Sequence, residues 1–141
     1  MMFVLDTNVI SALRRPAKAA PAVVKWAKSA DADDFYVSVI SILEIEIGIL
    51  GKARKDPEQA HVLRTWFDAD VLARFEDRIL PIDTAVALRC AALHVPDRRP
   101  ERDSLIAATA LVHGMSVVTR NVEDFEGIGV PVVDPWAFQG S

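Results

Sequence analysis

The stretch Phe3-Val4-Leu5-Asp6-Thr7-Asn8-Val9-Ile10-Ser11-Ala12-Leu13-Arg14-Arg15-Pro16 holds a short apolar run, an acid, helix-spaced apolar residues and a proline, in that order. Three consecutive apolar residues ending at Asp6 read as a short strand. The spacing over residues 8–14 reads as a helix, with Pro16 as its stop. Asp6 therefore stands at the carboxyl end of a strand.

The same grammar recurs downstream. Residues 21–30 suit a helix with proline in its first turn, and the acidic residues 31–34 suit a loop. Residues 35–40 are β-prone, and a long apolar helix begins at Ser41-Ile42-Leu43-Glu44 and runs towards Lys55. Residues 57–75 read as an amphipathic helix, 79–82 as a short strand, 84–93 as a helix, and the proline- and charge-rich residues 95–102 as a loop. A helix over 103–113 follows, stopped by Gly114, with Asp103 in its first turn. Residues 116–119 and 130–133 are the last strands, separated by an irregular segment over 121–129. Strands alternating with helices predict an α/β three-layer sandwich, helices on both faces of a central, mostly parallel sheet. No repeat, low-complexity tract or linker divides residues 1–141, so one domain is expected.

A single cysteine, Cys90, excludes an internal disulfide and a multi-cysteine zinc site, and His61, His94 and His113 show no zinc-ligand spacing. The amino terminus lacks the basic start and long apolar core of a secretion signal. Glu44 and Glu46 interrupt the longest apolar run, residues 37–50. A soluble, cytoplasmic protein without membrane attachment is expected. The net charge of −4 offers no global positive field to a nucleic acid, although a carboxylate cluster that holds metal ions itself makes a chain acidic.

In an open parallel sheet, ligands bind outside the carboxyl ends of the strands. Three such junctions carry polar groups, Asp6-Thr7-Asn8, Ser41 to Glu44, and Thr119-Arg120-Asn121, and Asp103 can join them from the start of its helix. Converging carboxylates repel unless cations lie between them, so the constellation points to a hard metal, Mg²⁺ or Mn²⁺. Four blocks carry these residues: Phe3-Val-Leu-Asp6-Thr-Asn-Val-Ile, Ser38-Val-Ile-Ser-Ile-Leu-Glu44-Ile-Glu-Ile-Gly48, Asp103-Ser-Leu-Ile-Ala-Ala-Thr-Ala, and Val118-Thr-Arg-Asn121-Val-Glu-Asp124-Phe125. In this order, and over nearly the whole chain, they resemble the signature blocks of PIN-domain toxins, the VapC ribonucleases of bacterial toxin–antitoxin pairs.

The resemblance implies that Asp6, Glu44 and Asp103 form an acidic triad holding the catalytic metal, with Thr119 and Asn8 as secondary contributors. It departs from the pattern at Asn121, where many relatives carry aspartate. An amide coordinates through its oxygen but brings no charge, so a second tightly bound ion is implied only if Asp124 supplies the missing carboxylate. The implied reaction is hydrolysis of RNA phosphodiester bonds by a metal-activated water, with Mg²⁺ or Mn²⁺ stabilising charge on the phosphate and no nucleophilic side chain. The implied partners are RNA, a cognate VapB-like antitoxin that occludes the acidic pocket, and a second copy of the chain, such dimers sometimes pairing into larger assemblies.

Taken singly, these residues have plainer uses. Asp6 also reads as a helix cap, and Ser41 with Glu44 as a capping box. Glu46 lies about 200° round the helix from Glu44, so the two cannot share one cleft; it suits a salt bridge or an interface contact. Cys90 suits a small core residue. Arg98, Arg99 and Arg102 precede Asp103 directly and are candidates for RNA phosphate contacts, whereas Lys52 to Lys55 suit solvated surface. Ile42, Leu43, Ile45, Ile49 and Leu50 cover more of a helix than one buried stripe needs, so part of that surface is expected to be an interface. Two other functions stay open. One is a catalytically silent PIN-like module that binds RNA or protein, for which Asn121 gives a footing. The other is a phosphatase with Asp6 as covalent nucleophile, whose usual second aspartate two positions on is here Asn8.

Overall fold

β1 (Phe3–Leu5) is buried along its whole length, and Asp6 ends it by capping α1 (Thr7–Ala12) in this computed structural model, which describes residues 1–140. α2 (Pro21–Ser29) leads through a 3₁₀ turn at Ala32–Asp34 into β2 (Phe35–Ser38). α3 (Val39–Ala53), α4 (Pro57–Trp66), a π-helical segment at Phe67–Ala73 and β3 (Ile79–Leu80) follow. α5 (Thr84–Leu93) and α6 (Glu101–His113) precede β4 (Ser116–Val118). A 3₁₀ turn at Val122–Phe125, β5 (Val132–Val133) and a last 3₁₀ turn at Pro135–Ala137 complete the order.

The strands pair in the order β3-β2-β1-β4-β5, all parallel, with Phe3 in register with Phe35 on one side and Ser116 on the other. Strand side chains alternate between faces, and this splits the core in two. Phe3, Leu5 and Val118 pack with Trp26, Ile45 and Phe67, whereas Val4 and Val117 pack with Ile106, Ala107 and Phe125. The expected three-layer α/β/α sandwich with a parallel sheet is therefore present. The chain places β2 and β3 on one side of β1 and β4 and β5 on the other. Strand order reverses between β1 and β4, which is where such a sheet opens a crevice at its carboxyl edge.

Local departures bear on the site. The strand expected over 35–40 stops at Ser38, because Ser38 rather than Ser41 is the helix cap: its buried Oγ accepts the Ile40 N–H at 3.0 Å. Ser41 and Glu44 consequently lie inside α3, one turn apart on one face, and the capping-box reading falls. α6 begins at Glu101, two residues earlier than the sequence suggests, and keeps Asp103 in its first turn. The helix expected over 57–75 is α4 continued by the wider π-helical segment, in which Phe67 and Val71 are both buried. The acidic residues 31–34 make a 3₁₀ turn capped by Asp31, and β3, β4 and β5 are each shorter than the apolar runs that predict them. Among the described residues no helix is long and apolar enough to cross a membrane.

Candidate active site

Asp6 caps α1 and stands at the carboxyl end of β1, beside β4. Only 6% exposed, it accepts the Thr7 N–H on Oδ1 at 2.8 Å and the Thr119 hydroxyl on Oδ2 at 2.8 Å. The fully buried Thr119 hydroxyl has one proton. It accepts the Asn121 backbone N–H at 3.0 Å and the Asn8 amide at 3.3 Å, so its own proton goes to Asp6. Asn8 Oδ1 accepts the Arg120 N–H at 3.2 Å, which turns the Asn8 Nδ2 towards Asp6 Oδ2 at 3.3 Å. The carboxyl ends of β1 and β4 are thereby tied together side chain to side chain.

Glu44 reaches the same crevice from the second turn of α3. Its Oε1 accepts the Thr7 hydroxyl at 2.8 Å, and that hydroxyl lies 2.9 Å from the fully buried Ser41 Oγ. A carboxylate only accepts, so Thr7 donates to Glu44 and Ser41 donates to Thr7. This two-hydroxyl relay is the part of the site that sequence reasoning missed. Its one trace in the sequence is the i, i+3 spacing of Ser41 and Glu44, which sets them on one helix face. Glu46, as the helical angle requires, points elsewhere and forms a two-pronged ion pair with Arg64, both contacts at 2.6 Å.

Asp103 enters from the first turn of α6, where the helix N-terminus favours a negative charge. Burial, then the charges of Asp6, Asp124 and Glu44, push its carboxyl up to about 6. Asp6 is raised too: burial dominates, the bonds from Thr119 and Thr7 oppose it, and Glu44 and Asp124 add to it. Four carboxylates thus feel one another across the crevice. Asp124 is exposed in the 3₁₀ turn after β4, while Asn121 is exposed and engages only its backbone, the N–H donating to Thr119 and the carbonyl accepting the Asp124 N–H at 3.0 Å.

Of the three arginines before Asp103, Arg102 reaches the carboxylates, its Nη1 3.6 Å from Glu44 Oε2. Arg98 faces Glu101 at 3.7 Å, and Arg99 donates to the Glu126 carbonyl at 3.0 Å while its backbone N–H bonds His94 Nδ1 at 3.1 Å. Cys90 is buried against Val86 and Ala108, the core role expected of it.

The donor set is all hard oxygen, carboxylates backed by hydroxyls, and its repulsion is of the kind a divalent cation relieves. In chemistry the residues fit such an ion. In spacing, no three His, Cys, Asp or Glu side chains among the described residues are drawn close enough to share one.

The family model described as the PIN domain matches residues 3–130. The chain belongs to the PIN-domain family. Among curated relatives, this PIN domain is 34% identical to the toxin FitB of Neisseria gonorrhoeae, over 96% of this chain and 99% of that protein. It is 31% identical to the VapC ribonuclease Y4jK of Sinorhizobium fredii, over 96% and 98%. Among solved structures it superposes on the crystal structure of FitAcB from Neisseria gonorrhoeae with a TM-score of 0.85 at 34% identity, covering 97% of this chain and 100% of that one.

Proposed function

We propose that this PIN domain is a divalent-metal-dependent endoribonuclease and acts in the cytosol as the toxin of a toxin–antitoxin pair. One observation carries the reading: Asp6, Glu44, Asp103 and Asp124, from four separate parts of the chain, come near enough at the carboxyl edge of the sheet that burial, and then the charges of the other three, raise Asp103 to about 6. The names of the similar proteins, a VapC ribonuclease and a toxin, support the activity and the role.

Asp6, Glu44 and Asp103 would hold Mg²⁺ or Mn²⁺, with Asp124 as the further carboxylate where Asn121 brings no charge. The ion, when bound, neutralises the phosphate and polarises the scissile bond. Asp6 is oriented by the Thr119 hydroxyl and the Thr7 N–H, and Glu44 is held in place by the Thr7–Ser41 relay. Asp103 makes no side-chain hydrogen bond among the described residues, which leaves its carboxylate oxygens free for the ion and for the attacking water. Arg102, beside Glu44, would meet a non-bridging phosphate oxygen, with Arg98 and Arg99 as further candidates for phosphate contacts. The partners that follow are RNA, an antitoxin of the VapB kind covering the crevice, and a second copy of the chain.

Purified protein, freed of any partner, is incubated with structured and single-stranded RNA in Mg²⁺, Mn²⁺ or EDTA beside Asp6→Asn and Asp103→Asn. Metal-dependent cleavage that disappears in both variants is expected; cleavage surviving in both sinks the assignment. The rival reading, a silent RNA- or protein-binding module, rests on the wide spacing of the carboxylates. It predicts no Mn²⁺ binding by calorimetry and no cleavage of any RNA.

A further inference from the structure

The acidic crevice has a cationic neighbour. Arg14, Arg15 and Lys18, beyond the end of α1, meet Arg120 and Trp136 around an open basin of about 340 Å³ that also takes in Ser11. Among the described residues no acidic side chain lines it and none of the four cations forms an ion pair. The acid on the Trp136 segment, Asp134, is committed to the Trp136 N–H at 2.9 Å. The Arg120 guanidinium lies 5.2 Å over the Trp136 ring, which leaves its N–H edge free for an anion and presents a flat surface to a base. Burial and the neighbouring Arg15 both push the Arg14 guanidinium down, the expected sign of cations gathered without a counter-charge.

The basin adjoins the crevice directly. Arg120 follows Thr119, whose hydroxyl bonds Asp6, and its own N–H bonds Asn8. From Asp6, α1 runs roughly 10 Å towards Arg14. We propose that this basin is the substrate-binding subsite of the enzyme: Arg14, Arg15, Lys18 and Arg120 hold the backbone phosphates of single-stranded RNA on one side of the cleaved bond, with Trp136 beneath. The inference rests on the ribonuclease reading. It also explains how a chain of net charge −4 binds a polyanion: the positive field is local and placed where the strand leaves the acids.

Binding of a fluorescent single-stranded RNA is measured by anisotropy in EDTA, where cleavage does not intervene, across 50 to 200 mM salt, roughly the range in which counterion release is read. Arg15→Gln/Lys18→Gln should weaken binding about tenfold and flatten the log–log salt slope by about 1.4, roughly 0.7 for each phosphate no longer neutralised. Lys25→Gln/Arg89→Gln, which removes the same charge from α2 and α5, should change neither. With metal present, the first pair should raise KM and leave kcat unchanged. If wild type cleaves RNA and the Arg15/Lys18 variant keeps its affinity and slope, the subsite is wrong and the ribonuclease reading stands. If wild type neither binds nor cleaves RNA, both fall. Tighter binding of polyglutamate than of RNA, abolished in the same variant, overturns the inference in favour of an acidic protein partner.

Discussion

In metal-free protein, replacing Asp103 with asparagine should raise thermal stability at pH 7.5 rather than lower it. The folded carboxyl titrates at about 6, against 3.8 for the free side chain. A raised folded value means that the native chain binds this proton more tightly than the unfolded chain does. Protonation therefore stabilises: the gain is complete below pH 3.8 and is lost as pH rises through about 6. The gap corresponds to about 3 kcal/mol, and solvent screening at this half-exposed group cuts it to roughly 1.5 kcal/mol. Asparagine keeps that gain at every pH but gives up roughly 0.5 kcal/mol of favourable charge interaction at the start of α6. The net is about 1 kcal/mol at pH 7.5, a Tm rise of about 3 °C for a chain of this length. Near pH 5, wild type has recovered about half of the proton's contribution, so the difference should shrink to about 1 °C. Differential scanning calorimetry in EDTA at the two pH values tests this. A Tm that falls on substitution at pH 7.5, or a difference that does not shrink at pH 5, refutes the claim that burial and the neighbouring carboxylates disfavour the Asp103 charge. Added Mn²⁺ should then reverse the order, because an ion held by the native site stabilises wild type by mass action.

Thr7→Val removes the donor to Glu44 and leaves the buried Ser41 hydroxyl without its acceptor; urea unfolding should show a loss of about 1–3 kcal/mol, and kcat should drop. Thr7→Ser, which keeps the hydroxyl, should restore both, and an unchanged kcat in Thr7→Val would rule out the relay as what holds Glu44. Glu44→Gln should abolish metal-dependent cleavage while Glu46→Gln, which only weakens the pairing with Arg64, leaves it intact; the opposite result moves the site round α3. Gly48 sits in the interior of α3 with no heavy atom within 4 Å of an added Cβ, so Gly48→Ala should stabilise the protein by up to about 1 kcal/mol. Gly114, at φ 67 in the left-handed cap of α6, should lose about 1 kcal/mol on the same change, both read by chemical denaturation.

Much of the architecture was legible along the chain because it depends on local pattern. The apolar triplet at Phe3 with helix spacing after it, the β-prone run at Ser116 with helix spacing before it, and the punctuation of Pro16 and Gly114 suffice for alternating strands and helices. Asp6 and Thr119 were visible as polar residues at strand ends for the same reason. The boundary at Ser38 was not. Both Ser38 and Ser41 can cap a helix, and only the turn of the backbone at Val39 decides between them, which moves Glu44 from a helix start to a helix interior.

What the sequence by itself determined, then, is the order of elements, the parallel α/β class and the set of acids that could converge. Only the tertiary structure decided their partners. The register of β1 against β4 brings Thr119 to Asp6 across 113 residues, and the packing of α1 on α3 brings Thr7 to Glu44 across 37. The packing of α4 and α6 on α3 turns Glu46 to Arg64 and Arg102 to Glu44, and the fold gathers Arg14, Arg15 and Lys18 with Arg120 and Trp136 into one basin. The physical reason is that caps and periodicity act within one or two turns of chain, whereas these contacts are set by strand register and helix packing, which no short stretch of sequence contains.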